Sequence, residues 1–195
     1  MGLILASGSP RRRQLLEQLG LTFTVRSSDV DESVSPGLTP AQVVESLSAR
    51  KGEAVAQLSQ PGDLILSADT VVALEGAILG KPRSREEAAA MLSALSGREH
   101  LVCTGVTMCR GDRLETRPET TAVRFASLSE EDIRRYIATG EPMDKAGAYG
   151  IQGLAALFVT GIAGDYFNVM GLPLHLVGEM LRSFGVELLS GRAEP

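Results

Sequence analysis

The sequence predicts an α/β fold whose mixed, partly antiparallel sheet is flanked by helices. Three observations point there. Strand-like apolar runs and helical patterns are interspersed along the chain, but they do not alternate strictly enough for a doubly wound parallel sheet. Short turn signals at Glu75-Gly76 and Arg110–Arg113 separate consecutive strand-like runs, which requires antiparallel pairing. Hydrophobic residues make up 44 % of 195 residues and charged residues 22 %, so a full core can form without disulfides or structural metal.

The elements follow in order. Leu3–Ala6 is a short apolar run that reads as a buried strand. The turn Ser7-Gly8-Ser9-Pro10 leads into a helix with Ser9 as cap and Pro10 in the first turn, running through Leu15, Leu16 and Leu19 to Gly20. Thr22–Arg26 alternates like a strand, and the polar, acidic stretch Ser27–Gly37 is a loop. Thr39, Pro40 and Gln42 form a helix start with a capping box, and the helix should reach Gln57. Asp63–Leu66 enters a strand expected to end at Ser67-Ala68-Asp69-Thr70. Val71–Leu74 and Ala77–Leu79 make a hairpin around Glu75-Gly76. Ser84 and Glu87 suggest a second capping box opening a helix to Leu95, closed by Gly97. Leu101–Cys109 and Leu114–Phe125 are longer strands, Ser129–Thr139 a helix, and Gly140–Gly153 a glycine-rich segment. Leu157–Ile162 and Tyr166–Val169 read as strands, and Pro173–Phe184 as the last helix. No repeat or linker divides the chain, so residues 1–189 are expected to form a single domain and 190–195 a frayed tail.

Bulk properties exclude several function classes. A net charge of −5 argues against a stable nucleic-acid-coating protein, though not against one nucleotide in a local basic pocket. Cys103 and Cys109 lie six residues apart, without a CxxC or a nearby histidine cluster, and read as reduced strand thiols. No run approaches the ~20 apolar residues of a membrane span, and Leu3–Ala6 is too short for a signal-peptide core. A cytoplasmic location is the expectation.

Several segments could carry chemistry. A strand feeding the small-residue turn Ser7–Pro10 into a helix start places backbone N–H groups where an anion can sit, and Arg11 and Arg12 could add bidentate phosphate contacts. The segment is neither a P-loop nor a GxGxxG fingerprint. The alternative is a capped helix with a solvated basic first turn, which three arginines opposing the helix dipole disfavour. Asp69, after Leu64-Ile65-Leu66, could be a general base or metal ligand, or an ordinary turn aspartate. Lys51, Lys81 and Lys145 could meet phosphate or remain solvated, and Pro82 would stiffen the turn that aims Lys81. Within Asp144–Gly153, three glycines permit close approach to a ligand, and Gln152 could read a base edge. Glu32 could hold a metal or belong to a solvated acidic loop. His100 and His175 are isolated and read as structural or surface residues.

Taken together, these segments resemble the Maf family, also called septum formation inhibitor proteins. The matching motifs are Leu5-Ala6-Ser7-Gly8-Ser9-Pro10-Arg11-Arg12, Ser67-Ala68-Asp69-Thr70-Val71-Val72, Leu79-Gly80-Lys81-Pro82, Met91-Leu92 with Leu95-Ser96-Gly97 and His100, Asp144-Lys145 through Gly153, and Asn168-Val169-Met170-Gly171-Leu172-Pro173. The resemblance implies an inosine-triphosphatase-like fold with two lobes around a nucleotide cleft. It implies hydrolysis of a nucleoside triphosphate to monophosphate and pyrophosphate with a divalent cation, Mg²⁺ or Mn²⁺. By matching position it implies Asp69 as proton acceptor, Ser7, Arg12, Lys51, Lys81 and Lys145 as phosphate contacts, and Glu32 with Asp69 as metal ligands. Arg11, Thr70 and Gln152 match apparent specificity markers of the branch acting on dTTP and UTP, whereas the 7-methyl-GTP branch resembles Ser-Asp-Gln-Val at the second motif. A homodimer is a further expectation from resemblance. The rival expectation is a nucleotide-binding regulator of cell division without turnover.

Overall fold

Seven strands form one mixed sheet among the described residues, 2–189, of the computed structural model. The tail expected to fray over 190–195 lies outside the described residues. In chain order the elements are β1 (Leu3–Leu5), α1 (Pro10–Gln18), β2 (Phe23–Val25), α2 (Pro40–Ala56), β3 (Leu64–Leu74), β4 (Ala77–Leu79), α3 (Arg85–Leu95), β5 (Glu99–Arg110), β6 (Arg113–Phe125), α4 (Glu130–Ala138), β7 (Val159–Ala163), α5 (Tyr166–Met170) and α6 (Leu174–Ser183). Three 3₁₀ turns, Glu141–Asp144, Ala146–Ala148 and Leu154–Phe158, fill the glycine-rich region and its exit.

The strand order is β2-β1-β3-β5-β6-β7, with β4 also on β3. β1 pairs in parallel with both β2 and β3, and every later pairing is antiparallel. The mixed, partly antiparallel sheet is therefore the one the sequence predicts. The parallel part needs two crossovers, and α1 and α2 supply them on opposite faces. Leu15 and Leu16 of α1 join the large core with residues of α3, α4 and α6. α2 packs on the other face, with Val43, Val44 and Leu47 against Val71 and Cys103.

Two expectations fail. β3 does not end at Asp69. It continues to Leu74, and its ladder with β5 runs without interruption from Ile65 to Ala73. Aspartate disfavours strands by propensity, but a continuous ladder and an ion-pair partner for the carboxylate override it here. The run Tyr166–Val169 is a helical turn, not a strand. Its aromatic and β-branched residues suggest extended backbone, yet Asp165 caps the turn by accepting from the Phe167 N–H at 2.7 Å, and Gly171 closes it at φ +105°. Two capping details also differ. Ser9 occupies the cap position of α1 but makes no side-chain cap bond. At Ser84 only half of the box forms, because Glu87 accepts from the Arg83 N–H.

The glycine-to-alanine difference matters most at Gly105. It stands opposite Asp69 in the β3–β5 register. A Cβ there would collide with the Val44 carbonyl and lie 2.8 Å from the Glu45 nitrogen. The backbone of α2 thus rests directly on β5, which brings the helix close enough for its side chains to reach β3.

Candidate active site

On one edge of β3, β1 pairs as far as Leu66 and β4 begins at Val72. Residues 67–71 have no strand on that side. The gap lies beyond the carboxyl end of β1, where chain crossovers diverge to opposite faces, and crevices form at such points. A cleft of about 630 Å³ opens there. Its walls include Ser7, Arg11 and Arg12 after β1, Glu32 of the acidic loop, Lys51 of α2, Asp69 and Thr70 of β3, Lys81 after β4, and Lys145 and Gln152 of the glycine-rich segment. Every site residue singled out in the sequence therefore faces one cavity.

The pleat sends Asp69 and Thr70 to opposite faces of β3. Asp69 points to the α2 face and is buried. The Lys51 ammonium donates to Asp69 Oδ1 at 2.6 Å and lies 2.7 Å from Glu32 Oε1. Lys51 thus bridges a buried carboxylate and an exposed one. The hydrogen bond from Lys51 holds the Glu32 carboxyl below its usual range, with Lys81 and Arg12 adding to the effect. One helical turn before Lys51, Ser48 contacts Thr107 at 2.9 Å and its carbonyl accepts from Ser67 at 2.7 Å, locking α2 on the sheet.

On the other face, Arg12 is held by three bonds. Its Nε donates to the Gly171 carbonyl at 2.8 Å, Nη1 to Ser7 Oγ at 3.1 Å and Nη2 to Thr70 Oγ1 at 3.0 Å. Three of its five N–H groups are thereby used, and two remain for a ligand. Burial lowers the guanidinium pKa and the Asp69 charge opposes that; a guanidinium keeps its proton in proteins. Arg13, by contrast, turns away into an exposed ion pair with Glu17. Ser9 makes no side-chain cap bond, which leaves the first-turn amides of α1, on residues that line the cleft, uncapped by it.

The facing wall is irregular. The Lys145 ammonium donates to the Glu141 carbonyl at 2.7 Å and to Asp144 at 2.6 Å. Gly150 makes room for its stem, since a Cβ there would lie 2.6 Å from Lys145 Cε. The Gly147 N–H donates to the Gly80 carbonyl at 3.0 Å, tying this wall to the Lys81 turn. Glu141 accepts from the Tyr136 hydroxyl at 2.8 Å and the Leu154 N–H at 3.0 Å. His100 Nε2 pairs with the Tyr149 hydroxyl at 2.8 Å, and both rings pack edge-on with Phe125. Burial pushes the His100 pKa down to about 4, so the ring is neutral. His100 is structural, as expected, and His175 is exposed beside Glu179. Gln152 lies at the mouth, donating to Gln14 of α1 at 3.2 Å. Cys103 and Cys109 are buried free thiols, and burial pushes Cys109 up to about 11.

Sequence reasoning missed Gly105, Thr104, Glu141 and Tyr136. A glycine inside the β-branched run Thr104–Thr107 is a signal of close backbone approach and could have been noticed. The others carry no local signal, because their partners are distant in the chain.

No group of three or more His, Cys, Asp or Glu residues that could hold a metal occurs among the described residues. The donor set nonetheless fits a hard cation. Glu32 and Asp69 offer oxygen ligands close enough to share one ammonium, and Mg²⁺ characteristically takes one or two carboxylates with substrate phosphates and water completing its shell.

The family described as Maf, Maf-like protein, matches this chain over residues 2–184. The chain is similar to a dTTP/UTP pyrophosphatase of Symbiobacterium thermophilum, 53 % identical over 191 residues covering 98 % of both chains. A protein of the same name from Moorella thermoacetica is 54 % identical over 191 residues, covering 95 % of this chain and 96 % of the relative. One from Pelotomaculum thermopropionicum is 52 % identical over 189 residues, covering 96 % and 98 %. Among solved structures, the Staphylococcus aureus Ham1 protein aligns with a TM-score of 0.47 at 17 % identity, covering 64 % of this chain and 71 % of that one.

Proposed function

The chain belongs to the Maf family, and from that premise we propose that it is a nucleoside triphosphate pyrophosphatase acting on dTTP and UTP. One observation carries the chemistry: the buried carboxylate of Asp69 shares a cleft with Arg12, Lys51, Lys81 and Lys145. Such a cleft suits a polyanion that must be attacked by water at one end.

In this reading the triphosphate lies along the gap in β3. Its oxygens take the two free N–H groups of Arg12, the uncapped amides of α1 and the hydroxyl of Ser7. Lys81 and Lys145 meet the distal phosphates from the opposite wall. Phosphate oxygens compete with the carboxylates for Lys51, which frees Asp69. Asp69 then accepts a proton from the attacking water. A bond forms from that water oxygen to the α-phosphorus, and the bond from the α-phosphorus to the bridging oxygen breaks. The products are the nucleoside monophosphate and pyrophosphate. The fixed cations stabilise charge growing on the leaving pyrophosphate, the electrostatic contribution that dominates much phosphoryl chemistry. Glu32 and Asp69 would hold the divalent ion, Mg²⁺ or Mn²⁺, which supplies charge neutralisation on the phosphates. Arg11 and Gln152, at the mouth, would face the nucleoside.

No described helix is long and apolar enough to cross a membrane. We place the enzyme in the cytoplasm, where its substrates are, as a homodimeric, house-cleaning hydrolase of unwanted pyrimidine nucleotides.

The test is pyrophosphate release from a panel of dTTP, UTP, CTP, GTP and 7-methyl-GTP with Mg²⁺, with and without chelator. The expected result is chelator-sensitive release from dTTP and UTP above the others. Binding of dTTP with no release would overturn the enzyme reading in favour of a regulator, and a preference for 7-methyl-GTP would overturn the branch.

A further inference from the structure

We propose that Thr104 is a positioning residue that, through Thr70, aims the Arg12 guanidinium at the substrate's phosphates. The inference rests on the pyrophosphatase reading for its substrate, but its geometry stands independently.

Four groups form one hydrogen-bonded line. Arg12 Nη2 meets Thr70 Oγ1 at 3.0 Å, Thr70 Oγ1 meets Thr104 Oγ1 at 3.0 Å, and Thr104 Oγ1 donates to the Asn168 carbonyl at 3.2 Å. The ends of the line determine its proton order. A guanidinium only donates and a carbonyl only accepts, while each hydroxyl has a single proton. The Thr104 proton lies on the Asn168 carbonyl, so the Thr70 proton must go to Thr104. A lone pair of Thr70 is then turned to Arg12. Every bond in the line is satisfied in this arrangement.

The far half of the line is dry. Thr104 and Asn168 have no exposed surface, so water cannot replace either partner. Thr70 and Thr104 are direct cross-strand partners in the β3–β5 ladder, which fixes their separation. Asn168 is itself pinned, its side-chain amide donating to the Val102 carbonyl at 2.9 Å and Thr121 Oγ1 at 3.0 Å. The same helical turn ends at Gly171, whose carbonyl takes Arg12 Nε. α5 therefore grips Arg12 twice, once directly and once through the two threonines. With its proton committed to Thr104, Thr70 has none to offer a ligand and presents only a lone pair beyond the one Arg12 takes.

The experiment compares wild type with Thr104→Val, Thr104→Ser and Thr70→Val, using inorganic tripolyphosphate as a probe without a nucleoside, and dTTP, UTP and CTP as substrates. Thr104→Val is expected to weaken tripolyphosphate binding about tenfold, the scale of one hydrogen bond to a charged group. It should raise KM for dTTP and UTP by the same factor, leave kcat less affected, and leave the dTTP-to-CTP preference unchanged. Thr104→Ser should restore all of these. Thr70 is only half-buried, so Thr70→Val gives the same readout should Thr104→Val fail to fold. Wild-type tripolyphosphate affinity in both valine variants would overturn the proposal, as would a change confined to the dTTP-to-CTP ratio. Absence of pyrophosphate release by wild type, with tripolyphosphate binding still dependent on Thr104, would instead sink the enzyme reading and leave the positioning line standing.

Discussion

The two walls of the cleft are built by different means, and two glycines show it. At Gly105 an added methyl group would meet backbone atoms of α2, which cannot yield without moving the helix. At Gly150 it would meet the distal stem of Lys145, a flexible side chain. The first wall places Asp69, Lys51 and Arg12 on strands and helices, each held by hydrogen bonds to other regular elements. The second wall carries Lys145 and Gln152 on 3₁₀ turns, anchored by Glu141 and by the contact between His100 and Tyr149. The difference suggests a division of labour. In the proposed reaction the proton acceptor Asp69 and the guanidinium of Arg12, which must hold position to within a fraction of an ångström, sit on the rigid wall, whereas Lys145 and Gln152, which would meet the distal phosphates and the nucleoside, sit on the adjustable one.

That contrast can be broken in four places, taken from the largest expected effect. Asp69→Asn removes the proposed proton acceptor while preserving shape. Turnover should fall by about 10²-fold or more, the range for a positioned base, with nucleotide affinity largely retained. Near-normal pyrophosphate release from this variant would reject Asp69 as the base. Gly105→Ala forces α2 off the sheet, so a loss on the order of 3 kcal/mol or more in denaturant unfolding is expected, together with reduced kcat. An alanine variant as stable as wild type would show that the rigid wall is softer than its packing implies.

The third prediction concerns pH. His100 has a folded-state pKa of about 4 against 6.5 when unfolded, because burial disfavours its charged form. Between those values the unfolded chain binds more protons, so the contribution of the neutral ring is fully present above about pH 6.5 and is lost as pH falls towards 4. Its size is roughly 3 kcal/mol. Urea unfolding of wild type should therefore show a steeper decline over this window than His100→Gln. Equal slopes would detach the histidine from the stability of the second wall. The smallest effect is expected for Gly150→Ala. The Lys145 stem should shift, raising KM for dTTP a few-fold with kcat and stability nearly unchanged, as steady-state kinetics and a thermal melt can check. A large loss of kcat would mean that Lys145 belongs with the reacting groups.

Much of this arrangement was legible in local sequence. The turn residues Glu75-Gly76 and Gly111 set the hairpins, the box at Thr39 and the cap at Ser84 set helix starts, and the cluster after β1 reads as an anion site because a strand, a small-residue turn and a helix start are adjacent in the chain. Asp69 lines the cleft, but not because a strand ends there. The expected strand end is the middle of β3, and the opening there comes from the gap between β1 and β4 on its edge. Over Tyr166–Val169 side-chain preference favours a strand, while the Asp165 cap and the αL glycine impose a helical turn.

The sequence by itself determined which short segments have the chemistry to bind phosphate, where most elements begin and end, and that the sheet is mixed. Tertiary structure alone decided that Lys51 bridges Asp69 and Glu32, that α2 lies on Gly105, and that Arg12 is held through Thr70, Thr104 and Asn168. The physical reason is range. Caps, turns and hydrophobic periodicity act over a few residues and leave a local trace, whereas these contacts join positions up to 64 residues apart and exist only once the sheet has brought them together.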